Sequence, residues 1–276
     1  TRYGVTNSGA YNFRYWFITP AVYTDEWQYY SNKNIQDRYF PRTDISINMS
    51  IPIDYYLISD LETEVVNPSF NATDKVILLS GNDRVGVKVF LRKLPTFESI
   101  ETDFLTIVTD ITDSQVPPQV RALVIDRVSG FLNSELGSYP HKKILVSNLD
   151  YKENPVYGLN QLPDFIRPFP DGFQYELKLL KTTINNYEEN TLLVNPRYDR
   201  WAIDGIKTYL LQSYMDTFYP DLKVVGSLGK YWLVRQFYAS NLEFNDQFNI
   251  LYMHMARLNL DQPLTKPRDS LIKFNL

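Results

Sequence analysis

The sequence contains no cysteine and only two histidines, His141 and His254. The first absence removes disulfides and thiolate chemistry and leaves the redox compartment undetermined. The second means that no helical pair of zinc-binding histidines, four residues apart, exists anywhere in the chain. No run reaches the ~18 uncharged apolar residues of a membrane span. There is no long basic run and the net charge is −4, which argues against a nucleic-acid surface. A G-x-S-x-G elbow, a P-loop and a dinucleotide glycine pattern are all missing, so nothing supports a nucleophilic or acid/base enzyme. Two carboxylate neighbourhoods, Glu188-Glu189 and Asp60-Leu61-Glu62, have no cleft context and read as solvated charges. The sequence starts at Thr1, not Met, and reads as beginning in mid-protein.

What is present is aromatic and strand-forming. Of 276 residues, 21 are tyrosine and 16 phenylalanine, a wealth that suits strands and weakly suggests a carbohydrate or peptide surface. Residues 1–105 read as β-rich. Ile45–Ile51 alternates strictly, and Tyr55–Ile58, Lys75–Leu79 and Gly86–Leu91 follow as further strands between Asn-Pro and Gly-Asn-Asp turns. From Ser114 to Leu136 the spacing predicts a helix with Val120, Leu123, Val124, Val128, Phe131 and Leu132 as its apolar stripe. Gly137 is its stop. Further helices are expected from Tyr231 and over Phe248–Leu260, the latter with Ile250, Leu251, Met255 and Leu258 inward. Strands followed by helices predict an α+β chain: an antiparallel β domain over 1–105, then an α/β domain over 106–276.

Between these lies a predicted helix pair, Leu177–Tyr209. Leu177, Leu180, Ile184 and Tyr187 share one face. Asp199 is the candidate N-cap of the second helix, which turns Trp201, Ile206, Leu210 and Tyr214 to a core. The segment Trp201-Ala-Ile-Asp204-Gly-Ile-Lys-Thr-Tyr-Leu210 resembles the W-x-x-E-G-x-x-x-Y-L signature of the aminopeptidase-N-like gluzincin metallopeptidases. Gly137-Ser-Tyr-Pro140 resembles the junction that precedes that family's active-site helix. Ile51-Pro-Ile-Asp-Tyr55 resembles a segment of its N-terminal, saddle-like β domain. The resemblance covers residues 40 to 276 and is strongest over 137 to 211.

That resemblance implies a thermolysin-like domain after the β domain, and a zinc cofactor in family members generally. It also implies which positions to inspect. The family's acidic zinc ligand falls on Asp204, and its H-E-x-x-H helix falls on Lys181-Thr182-Thr183-Ile184-Asn185. Lys181 repels a dication, Asn185 is a weak ligand, and Thr182 cannot serve as a carboxylate base. The segment that holds a substrate amino terminus falls on Gly158-Leu159-Asn160-Gln161, with neutral Asn160 in place of the glutamate. The family's tyrosine has its nearest counterpart in Tyr252, which reads as a core or rim residue. His141, beside two lysines, reads as a surface histidine. The expectation is therefore a non-catalytic, zinc-free member, a pseudoenzyme that binds a peptide or protein partner or builds a larger envelope protein. A periplasmic or bacterial cell-surface location is implied by the resemblance alone. The alternatives are an active zinc aminopeptidase with atypical ligands and a glycan-binding surface protein. If the zinc is gone, Asp204 needs a substitute cation, and a Lys181–Asp204 ion pair with Asn185 beside it is expected.

Overall fold

The computed structural model describes residues 3–19, 21–28, 39, 41–67, 73–156, 168–192, 194–236 and 238–266. Its strands are β1 (Gly4–Val5), β2 (Tyr11–Arg14), β3 (Val22–Tyr23), β4 (Trp27–Gln28), β5 (Thr43–Pro52), β6 (Tyr56–Ser59), β7 (Glu62–Asn67), β8 (Asp74–Arg84), β9 (Lys88–Arg92), β10 (Glu98–Glu101), β11 (Thr106–Thr109) and β12 (Lys143–Val146). Its helices are α1 (Pro118–Leu136), α2 (Asn148–Glu153), α3 (Asp171–Thr191), α4 (Arg200–Phe218), α5 (Trp232–Arg235) and α6 (Asp246–Arg257). Helix and sheet are mixed, and most strand pairing is antiparallel.

Two antiparallel sheets carry the N-terminal half, with strand orders β1-β2-β9-β6 and β5-β8-β7, next to a small β3-β4 hairpin. In β5 the alternation seen in the sequence sets the pairing: Ile47 lies opposite Leu79 and Met49 opposite Ile77. A period of two puts these side chains on one face, where they join the core of Leu61, Val87, Val89 and Leu91. The third sheet has the order β10-β11-β12. There β11 runs parallel to β12, and α1 makes the crossover that a parallel pair requires. Strand β10, inside the stretch assigned by sequence to the β domain, pairs with β11 in this third sheet.

The position of β9 is the key to the site. It is buried from Lys88 to Leu91, because it is an inner strand with something packed on both faces. Val89 and Leu91 face the β core. Phe90 faces the other way and packs with Leu145 and Leu149 of the helical half. Lys88 shares the face of Phe90 by the same alternation.

In the helical half, α3 is the central element. It contacts α1, α2, α4 and β12. Leu179, Leu180, Ile184 and Tyr187 are wholly enclosed, each apolar side chain adding roughly 1.5–3 kcal/mol by burial. Helix α1 starts at a proline in its first turn and ends at Gly137, whose φ of 79° is a conformation only glycine adopts freely. Its inward stripe is narrower than expected, since Val120 and Leu123 are exposed. Two other expectations also give way. The helix expected from Tyr231 is only α5, four residues long, with Trp232 and Leu233 exposed. In α6, Ile250 and Leu258 face outward. No helix among the described residues is long and apolar enough to cross a membrane.

Candidate functional site

A cavity of about 240 Å³ opens where β2 and β9 meet α2, α3 and the start of α4. Its α3 wall is a polar run, Asn185, Asn186, Glu188 and Glu189, interrupted by the buried Tyr187. These positions fall on the face of α3 turned from the core of Leu179, Leu180 and Ile184.

One wall of the cavity is a closed set of charges. The ammonium of Lys88, 6 % exposed, lies 3.1 Å from Asp150 Oδ2 and 3.5 Å from Glu189 Oε2. It also donates to Asn186 Oδ1, whose amide nitrogen is fixed by the Leu145 carbonyl. Arg14 donates to Glu189 Oε1 at 2.7 Å and stands 3.8 Å from Asp150 Oδ1. Tyr3 completes Asp150 with a hydroxyl at 2.7 Å. Burial would push the Glu189 carboxyl up, but Arg14 and Lys88 hold it down at about 2. Burial likewise disfavours the charged Lys88, and Asp150 with Glu189 reverses this and raises it. Two cations and two anions thus tie two β2–β9 side chains to α2 and α3, an arrangement that makes the buried charges of Lys88 and Asp150 tolerable while Glu189 remains 41 % exposed at the rim.

The preceding residue of α3 is treated differently. Glu188 is 2 % exposed, and neither carboxylate oxygen has a hydrogen-bond partner. Burial drives its pKa up to about 8; Lys207 and Arg200 pull it down, and Asp204 pushes it further up. Those two cations are already engaged. Asp204 holds Lys207 at 2.9 Å and Arg200 at 3.1 Å along its own helix. Burial opposes the charge on Asp204, and these two partners outweigh it and lower its pKa.

The sequence expectations meet this geometry unevenly. The Lys181–Asp204 pair does not form: Lys181 donates to the Pro155 carbonyl at 2.9 Å, and Asp204 is served by Arg200 and Lys207, one turn away on either side. Lys181 is on the correct helical stripe but one turn short of the cavity. Thr182 is fully buried and gives its hydroxyl to the Lys178 carbonyl. Asn185 does line the cavity. Tyr252 is 62 % exposed on α6, so it is no core residue. Trp201, expected in the core, is 49 % exposed at the first turn of α4. Asp199 takes the N-cap position without a side-chain capping bond. Gly158, Leu159, Asn160 and Gln161 lie outside the described residues.

Of the residues read as solvated charges, Glu62 and Glu189 are exposed. Glu188 is buried and Asp60 is half-buried, accepting the Lys88 backbone amide at 3.0 Å, and both line the cavity together with Glu189. A signal was available for Lys88: a lysine between valines in an apolar strand must either snorkel or find partners. Nothing comparable marked Arg14 or Asp150.

Lys181, Asn185 and Asp204 do not fit a zinc ion, because one is a cation turned elsewhere and one is a carboxylate already carrying two cations. Among the described residues no group of three or more histidine, aspartate or glutamate side chains is placed to hold a metal.

No protein-family model matches the sequence, and no curated protein matches it. Solved structures do. Among them are M1 zinc metallopeptidases. The enzyme from Deinococcus radiodurans shares 13 % identity at a TM-score of 0.46, over 84 % of this chain and 50 % of that one. A two-domain M1 zinc metallopeptidase mutant bound to L-arginine shares 12 % at 0.39, over 80 % and 54 %. The chain therefore spans about half the length of the structures it matches. The likeness is distant and says nothing of this chain's activity or ligand.

Proposed function

We propose that this chain is a non-catalytic, metallopeptidase-like binding module whose cavity receives a cationic group of a peptide or protein partner, an amino terminus or a lysine or arginine side chain. The observation that supports the reading is Glu188. An enclosed carboxylate with no partner is costly in its charged form, and an ammonium or guanidinium would supply both countercharge and hydrogen bonds. The cavity has room for one such group, being smaller than the ~300–1,000 Å³ of drug-sized sites. Its lining carries five acidic and five basic side chains, a balance suited to a peptide and unsuited to a polyanion.

The test is calorimetric titration of short lysine- or arginine-containing peptides, with free and acetylated amino termini, into the native protein and Glu188→Gln. At pH 7 the free carboxyl is mostly protonated, so binding a cation should release a proton and make the apparent enthalpy depend on the buffer. Binding that survives Glu188→Gln unchanged, or no binding at all, contradicts the reading. One equivalent of zinc with chelator-sensitive peptidase activity would replace it with the atypical-ligand enzyme.

A further inference from the structure

A second, more open hollow, of about 250 Å³, lies between the turn end of β8 and the loop entering β12. Arg84 forms part of it. This arginine is 4 % exposed, and its Nε and Nη1 are shut away from solvent with no acceptor. Its stem lies against Gly81, where a Cβ would come within 2.9 Å of Nε and 2.7 Å of a Leu61 methyl carbon. Glycine at 81 is thus what lets the guanidinium lie there. His141, expected to be an ordinary surface histidine, is half-buried against Tyr139 with ring centroids 5.5 Å apart. Its Nε2 is enclosed and unpartnered. Lys142 stands exposed at the edge of the same depression.

Three nitrogen groups with unmet donors or charge therefore border one hollow. The acids nearby do not answer them. Asp83 is held by Arg42 at 2.9 Å, Asp60 accepts the backbone amide of Lys88, and Glu62 is an exposed rim residue. The Arg84 charge acts on Asp60, but no acceptor meets Nε or Nη1, and buried donors left without one are costly.

We infer that Arg84, His141 and Lys142 form a binding site for a phosphate group, either the free ion or a phosphate monoester. The donors come from a strand end and from a loop, so they approach from different directions. That suits a tetrahedral oxyanion better than a planar carboxylate, which one guanidinium edge would satisfy. Ser80 and Asn82 on the same wall offer neutral hydrogen bonds to the remaining oxygens. Burial together with the fields of Arg84 and Arg42 lowers the His141 pKa to about 4. A dianion in the hollow would oppose that field and raise it.

The chain's two histidines make the test direct, because His254 is exposed on α6 and serves as an internal reference. Imidazole resonances are followed by NMR while inorganic phosphate is added, with chloride at matched ionic strength as control. His141 should shift saturably with a dissociation constant on the order of millimolar, its pKa should rise, and His254 should not move. Arg84→Met should abolish the response. Lys142→Ala, an exposed change that leaves the fold intact, should weaken binding by about threefold. Phosphoserine binding tighter than inorganic phosphate would assign the site to a carried phosphate, and the reverse to the free ion. An unmoved His141, an equal response to chloride or acetate, or a response that persists in Arg84→Met overturns the inference.

Discussion

The two ends of α3 each bury a glutamate, and the two are treated in opposite ways. Glu176, near the start, is 3 % exposed and accepts from Arg127 at 3.1 Å, from the Tyr219 hydroxyl at 2.7 Å and from the Tyr214 hydroxyl. Glu188, three turns on, is 2 % exposed and accepts from nothing. Residue type, helix and burial are the same. What differs is that α1 and α4 close over the first with a ring of donors, whereas the second opens on a cavity whose cations are committed to other acids. The first belongs to the architecture. The second is an unmet demand, and that is why the functional reading is placed there.

The largest loss of stability should come from breaking the satisfied end. Glu176→Ala leaves the hydroxyls of buried Tyr214 and half-buried Tyr219 without this acceptor and frees Arg127, and should cost roughly 3 kcal/mol in chemical denaturation. Glu176→Gln, which keeps one acceptor oxygen, should cost about half as much. A loss under ~0.5 kcal/mol for the alanine variant, the range of ordinary surface changes, would show that the two ends are not different in kind.

Next is the unsatisfied end, where the sign reverses. Glu188 has a folded-state pKa of about 8 against an ordinary 4.5, so the folded protein keeps a proton that the unfolded chain has released between those values. Stability contributed by this group therefore falls as pH rises from about 4.5 to 8 and is level above that window. Glu188→Gln should consequently stabilise the protein by roughly 4–5 kcal/mol at pH 9 and by less than about 1 kcal/mol at pH 5. A pH-independent difference would contradict the comparison.

Much of this was legible in the sequence and some was not, for identifiable reasons. Strands β5, β8 and β9 and helices α1, α3 and α4 follow from periodicity, because each buries one regular stripe. Helix α5 and the exposed face of α6 were misread because apolar residues such as Trp232, Leu233 and Ile250 imitate a buried stripe without being covered. Of the expected frame, Asn185 lines the cavity, and Lys181 and Asp204 do not. The frame set on Lys181–Asn185 counts residues along the chain, whereas the cavity is fixed by where β9 crosses α3, a tertiary fact. Arg14, Lys88, Asp150 and Glu189 come from four distant segments, and no local pattern announces that they converge.

The smallest effects sharpen the same point around the Lys181–Asp204 frame. Trp201→Ala, expected from sequence to remove a core aromatic, should cost only about 1 kcal/mol because half of the ring is already exposed. Thr182→Ala should cost about 1 kcal/mol, for one buried hydroxyl bonded within its own helix. A loss above ~3 kcal/mol at Trp201, typical of an aromatic taken from a core, would restore the original placement.

The most direct test of the central claim is the titration of the Glu188 carboxyl itself, followed by carbon-detected NMR with Glu188→Gln for assignment. The account predicts a midpoint near 8 in the free protein, moving down by about one unit or more when a cationic peptide is bound. A midpoint near the ordinary glutamate value, unmoved by such peptides, would contradict it.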